Sequence, residues 1–183
     1  AAVLNGKVMY TSMGLTPLAG LMMGSRSGDI DASAVTYLMD KLNMKPQEMA
    51  DFLNKKSGVL GITGISSDMR DIEKAANEGN EKALLALRMY EYRIKKYIGA
   101  YAAAMGGVDA IVFTAGVGEN QTDLRENSCK GLEFLGIKIN KEVNDTIHGK
   151  EAVISTDDSK VKVVVVPTDE EIVIARDTME LVK

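Results

Sequence analysis

The sequence predicts an α/β protein in which a mixed sheet is covered by helices, and three observations carry that expectation. Two continuous apolar runs, Ala110-Ile111-Val112-Phe113 and Val163-Val164-Val165-Val166, have the length and composition of strands buried on both faces. Elsewhere apolar residues recur at helical spacing, most clearly from Glu81 to Met105. An Asn5-Gly6 step between two short apolar runs is the strongest local signal for a hairpin.

Taken in order, residues 1–4 and 7–10 are the two strands of that hairpin. The chain thus starts inside a strand with no initiator methionine, and the expectation is a piece of a longer protein from which the rest of the sheet, or a neighbouring domain, has been cut away. From Thr16 the pattern turns helical, with Pro17 suited to a first turn and Leu18, Leu21 and Met22 on one face. Asp31 can cap a helix with the stripe Val35, Leu38, Met39 and Leu42, and Pro46 opens another with Met49, Phe52 and Leu53 inward. Val59 to Asp71 reads as a glycine-broken turn, with Ser67 and Asp68 as caps for a helix that ends at Gly79. The long helix carries Ala83, Leu87, Tyr90, Ile94, Tyr97, Ile98, Tyr101 and Met105 on one face. Its tyrosines suit either the domain's own core or a face shared with a second subunit. After the first apolar run come a helix from Thr122 to Leu135, a short Ile137-Lys138-Ile139 segment and a strand at residues 152–154. A final helix follows, with Ile172, Ala175, Met179 and Val182 on one side.

Composition narrows the function. At 183 residues and 45% apolar, the chain fits one domain, or one with a small insertion. A net charge of -4 without a basic cluster argues against a nucleic-acid binder. The one cysteine, Cys129, excludes an intramolecular disulfide and has no activating neighbour in sequence. No apolar run is long enough to span a membrane and no signal pattern opens the chain, so the cytoplasm is the expected compartment.

Three segments carry groups suited to chemistry. In Gly24-Ser25-Arg26-Ser27-Gly28-Asp29-Ile30-Asp31 a single arginine sits between glycines, where its planar guanidinium can fork onto a phosphate or carboxylate. The same residues also suit a plain connector with a surface arginine. In Thr114-Ala115-Gly116-Val117-Gly118-Glu119-Asn120 a strand runs through two glycines to a helix start, which favours an anion or makes a tight left-handed turn. It is neither a Walker loop nor a dinucleotide fingerprint. In Pro167-Thr168-Asp169-Glu170-Glu171, Thr168 and Glu171 read as a capping box. Asp169 and Glu170 then suit either the helix dipole or Mg²⁺, an ion that keeps several waters and takes few carboxylates. The one histidine, His148, reads as a solvated loop residue.

These segments, in order with Thr11-Ser12-Met13-Gly14-Leu15-Thr16-Pro17-Leu18 and Ser66-Ser67-Asp68-Met69-Arg70-Asp71, closely resemble the acetate kinase family, over its carboxy-terminal domain. The resemblance implies a ribonuclease H-like, actin-like ATPase domain with a helical insertion, residues 1–183 forming the nucleotide-binding half. It implies reversible transfer of the γ-phosphoryl group of ATP to acetate, with Mg²⁺ and a homodimeric assembly. It makes Arg26 the transition-state stabiliser and assigns Asp68, Met69, Arg70, Gly116, Val117, Gly118, Glu119 and Asn120 to ATP and Glu170 to Mg²⁺. The family's phosphate loop, catalytic aspartate and active-site histidines have no counterpart in the chain, so the chain alone is expected to be inactive. Two alternatives remain: a propionate or butyrate kinase half, and a non-catalytic nucleotide-binding or dimerisation module.

Overall fold

Asn5 and Gly6 take left-handed φ angles of 51° and 74°. That is the backbone a two-residue hairpin needs, and it folds β1 (Ala2–Leu4) onto β2 (Lys7–Tyr10). The structure is a computed structural model that describes residues 1–182, and it divides into two compact units, Ala1–Gly107 and a second beginning at Val108.

In the first unit the hairpin leads through an irregular segment to five helices: α1 (Ala32–Leu42), α2 (Pro46–Lys55), α3 (Gly58–Thr63), α4 (Met69–Asn77) and α5 (Glu81–Met105). Asp31 caps α1 by accepting from the Ser33 N–H at 2.7 Å, and Asp68 caps α4 by accepting from Arg70 at 2.9 Å. Met49, Leu53, Val59, Ile72, Ala76, Ala83, Ala86 and Tyr90 are buried and form the core of this unit.

Two expectations fail here. Residues 16–22 form no helix, because Gly20 sits at φ 94° and both its backbone groups bond to Asp29, nine residues on. Residues 58–63, read from sequence as part of a turn, instead form α3 with Val59 fully buried. Of the α5 tyrosine stripe only Tyr90 lies in the core, while Tyr97 and Tyr101 are half-buried. These two pack ring to ring at 5.5 Å, with Tyr10 of the hairpin 5.9 Å from Tyr101.

The second unit is built on a three-stranded mixed sheet. In chain order its elements are β3 (Ala110–Phe113), α6 (Ala115–Asn120), α7 (Thr122–Cys129), a 3-10 turn at Glu133–Leu135, α8 (Lys141–Asn144), β4 (Ala152–Val153), β5 (Lys162–Val165) and α9 (Glu170–Leu181). Central β5 pairs parallel to β3 and antiparallel to β4, while Ile137 and Ile139 add single bridges to Val161 and Ser155. The helix expected over 122–135 stops at Cys129, ahead of Gly131 at φ 86°.

Only one face of this sheet is buried, contrary to the expectation from its apolar runs. Ile111, Phe113, Val163 and Val165 are covered, whereas Val112 and Val153 are 54% and 52% exposed. The apolar side of α9 is likewise open, with Ile172 at 42% and Met179 at 58%. No helix among the described residues is long and apolar enough to cross a membrane.

Candidate functional site

Arg26 sits on a loop whose shape is fixed by the start of α3. The first amides of a helix lack intrahelical acceptors. Here Val59 and Leu60 donate to the carbonyls of Met23 and Gly24 at 3.0 and 2.8 Å. Ser57 donates to Ser25 and Ser27 donates to Leu53, both at 3.0 Å, and the Met23 N–H closes the turn onto the Arg26 carbonyl. Gly24 is required by crowding, since a Cβ there would collide with the carbonyl oxygen of Ser67. Two segments far apart in sequence, the arginine loop and the run that caps α4, are thereby in direct contact. Gly28 is required by conformation as well, with φ 68° and the Gly20 carbonyl 2.6 Å from where a Cβ would stand.

The Arg26 side chain is half-buried and anchored by one bond, Nη1 to the Pro17 carbonyl at 3.0 Å. Its remaining N–H groups have no partner among the described residues, whereas Arg70 is engaged by Asp68 at two of its nitrogens. Arg70 forks onto the Asp68 carboxylate through Nε at 3.0 Å and Nη2 at 2.5 Å. Those bonds, with the backbone amide of Arg70, hold the carboxyl of Asp68 down at about 2. Met69 between them is buried, which leaves its side chain in the core rather than at the surface.

In the second unit the glycine turn is helical from Ala115, which takes a left-handed φ of 59° directly after β3. The two glycines then differ. Gly118 is buried with its α-carbon against the Phe113 backbone, where a Cβ would stand 3.2 Å from the carbonyl carbon, so it serves packing. Gly116 faces open space, with nothing within 4 Å of a Cβ.

The short helix α6 is held by a different donor at each of its last carbonyls. Asn120 Nδ2 donates to Gly116 and the Gln121 amide to Val117. Arg125 Nη1 donates to Gly118 at 2.9 Å, the Gly149 amide to Glu119 at 3.1 Å, and His148 Nδ1 lies 3.0 Å from the Asn120 oxygen. Sequence reading assigned no role to Arg125 and left His148 to solvent. Arg125 is fully buried and bonds carbonyls of Gly118, Asn144 and Ile147 and the Asn144 side chain, and burial lowers its pKa. An arginine after a glycine turn was the only available signal, and its acceptors lie up to 22 residues away.

Glu119 then joins the turn to the start of α9. Its Oε1 accepts from both the amide and the hydroxyl of Thr168, at 2.9 and 3.1 Å. The expected capping box is therefore replaced: Asp169 caps α9 by accepting from the Ile172 amide at 3.0 Å. Glu170, in the first turn, is exposed and its carboxylate has no partner among the described residues. No group of three or more potential metal ligands occurs among the described residues.

In the first unit a preorganised arginine with open donors suits phosphate chemistry, and in the second unit, taken by itself, a glycine turn follows a strand and an exposed carboxylate opens the last helix. The chain matches the acetokinase family over residues 1–176, and it belongs to that family. It is 63% identical to an acetate kinase of Bacteroides thetaiotaomicron over all 183 of its residues, which is 46% of that protein. The crystal structure of Porphyromonas gingivalis acetate kinase superposes at a TM-score of 0.94 and 57% identity, over 98% of this chain and 45% of that one. A propionate kinase structure from Francisella tularensis superposes at 0.87 and 40% identity, over 94% of this chain and 44% of that one. The fold is therefore the actin-like ATPase fold expected from sequence, and the chain spans about half the length of the curated relatives it matches.

Proposed function

We propose that this chain is the carboxy-terminal, nucleotide-binding half of an acetate kinase, an enzyme that transfers the γ-phosphoryl group of ATP reversibly to acetate. A carboxylate oxygen of acetate forms the new P–O bond as the bond to the leaving ADP oxygen breaks, giving acetyl phosphate. The observation that carries the reading is Arg26: a guanidinium anchored at one nitrogen by Pro17, on a loop locked to a helix end, with its other donors open.

Such transfers proceed with charge spread over the equatorial oxygens of the moving group, so fixed positive charge and positioning do most of the catalysis. Arg26 supplies that charge from a preorganised loop, and losing one such donor costs roughly 3 kcal/mol of barrier. Gly116, Val117, Glu119 and Asn120 line the nucleotide with main chain, Gly118 keeps the turn packed, and Asp68, Met69 and Arg70 contribute to the adenosine side. Glu170 fits Mg²⁺, which takes few protein carboxylates. When bound, that ion supplies charge neutralisation on the phosphate oxygens.

Acetate is favoured over longer acids by the 63% identity to an acetate kinase against 40% to the propionate kinase. The test is acetyl phosphate formation trapped as the hydroxamate, with acetate, propionate and butyrate, for the chain alone and with the remaining half of a relative supplied. Activity is expected only in the second case and highest with acetate. Turnover by the chain alone within tenfold of a full-length relative overturns the claim that it is half an active site, as expected of a protein of half the relatives' length. A homodimer and a cytoplasmic setting belong to the same reading. With the α5 tyrosines engaged inside their own unit, the dimer rests on the family resemblance alone, and a monomer mass by sedimentation equilibrium removes it.

A further inference from the structure

The arginine loop has two anchors of different kinds. At its tip, backbone groups of residues 23–25 bond the start of α3, through contacts that no side chain makes. At its base, closure depends on Asp29. The Asp29 amide donates to the Gly20 carbonyl at 2.9 Å while the Gly20 amide donates back to Asp29 Oδ1 at 2.9 Å. This reciprocal pair ties the loop into a ring with Arg26 three residues from the clasp. The clasp is fixed to α5 from two directions: Tyr97 donates its hydroxyl to Asp29 Oδ2 at 2.5 Å, and both terminal nitrogens of Arg93 donate to the Asp29 carbonyl at 3.2 Å.

We propose that Asp29 and Tyr97 are positioning residues for Arg26, the Tyr97 hydroxyl holding the Asp29 carboxylate in the orientation that closes the loop. The proposal rests on the reading of Arg26 given above. The electrostatics agree with the geometry. Burial of the Asp29 carboxyl works against ionisation, yet the bonds from Tyr97 and Gly20 and the nearby Arg93 and Lys96 outweigh it and hold the group below its ordinary value. Burial and the bond to Asp29 push the Tyr97 phenol up to about 12. The clasp therefore keeps one form, carboxylate accepting from phenol, across the neutral range. Its consequence is geometric: a guanidinium displaced by a fraction of an ångström no longer meets the equatorial oxygens where charge develops.

The test uses the chain with the remaining half of a relative supplied, and compares Tyr97→Phe, Asp29→Asn, Arg26→Ala and the double variant Tyr97→Phe/Arg26→Ala. Tyr97→Phe retains the ring that packs on Tyr101, so the fold is kept while the bond to Asp29 is lost. Asp29→Asn is a second, near-isosteric lesion at the other end of the same bond. Each single change is expected to lower kcat about tenfold or more while leaving the KM for ATP within about twofold. In the Arg26→Ala background, Tyr97→Phe is expected to change kcat no further, because the group it positions is gone. A Tyr97→Phe enzyme with unchanged kcat, or an equal loss of kcat with and without Arg26, overturns the proposal. Full kcat in Arg26→Ala overturns the reading of Arg26 and this proposal with it, whereas an impaired Arg26→Ala beside an unimpaired Tyr97→Phe overturns this proposal only.

Discussion

Glu119 Oε1 accepts both the amide and the hydroxyl of Thr168, 49 residues further along, and so fixes where α9 begins. Glu119→Ala removes the acceptor for both donors. Bonds to a charged acceptor contribute about 1.5–3 kcal/mol, so amide exchange at Thr168 is expected to accelerate at least tenfold. Glu119→Gln keeps an oxygen at that position and is expected to restore most of the protection. Exchange at Thr168 that is unchanged in the alanine variant would show that the loop is held by something else.

Arg26→Ala is expected to lower kcat by about 10²-fold or more with little change in the KM for ATP, as for a group that acts on the transition state. Arg26→Lys is expected to recover only part of the loss, since an ammonium lacks the planar fork. Both are read from hydroxamate-trapped acetyl phosphate with the remaining half of a relative supplied. Wild-type kcat in the alanine variant returns Arg26 to the role of a connector residue.

Arg125 and His148 bond neighbouring carbonyls of one short helix but differ in burial, and their substitutions are expected to differ accordingly. Arg125→Ala leaves acceptors on Gly118, Asn144 and Ile147 unpaired inside the second unit, at a cost of about 3 kcal/mol or more. His148→Ala exposes the Asn120 carbonyl to water instead and is expected to cost under about 1 kcal/mol. Urea unfolding of the two variants checks the ordering, and equal losses would count against it.

The carboxyl of Asp68, held at about 2 against an ordinary 3.8, makes stability depend on pH in one direction. A group lowered on folding contributes stability that is fully present above its unfolded value and is lost as pH falls through its folded value. The melting temperature is therefore expected to drop between about pH 4 and pH 2. In Asp68→Asn, which retains a capping oxygen but cannot titrate, the drop is expected to shrink while neutral-pH stability is nearly kept. An identical acid slope in both proteins would remove Asp68 as its source.

Local chemistry made parts of this fold readable. Asn5-Gly6, Asp31, Asp68 and Pro46 act through their own backbone or the next few residues, and each element they mark is where sequence reading put it. Glu81–Met105 follows from periodicity alone. What was not readable is governed by distant partners. Thr16 to Met22 has helical spacing, but Gly20 is bound to Asp29; Thr168 has capping chemistry, but its hydroxyl is already donated to Glu119. Val112 reads as interior because composition does not say that one face of its sheet lacks a cover. At the site, the arginine loop, the glycine turn and the carboxylate after it were visible as residues, whereas Arg125, Asp29 and Tyr97, which hold them, became visible only through folding.

The amides of Val59 and Leu60 end on carbonyls of the arginine loop, so neither partner is complete without the other. Opening α3 deprives the loop of its donors, and opening the loop leaves the helix start with unpaired amides. The two therefore unfold as a single cooperative segment rather than as a helix with a mobile appendage. Freeing the backbone of residues 23–25 therefore uncovers the first amides of α3 in the same event, whereas a small shift of the Arg26 guanidinium, such as loosening the Asp29 clasp would cause, leaves those bonds in place.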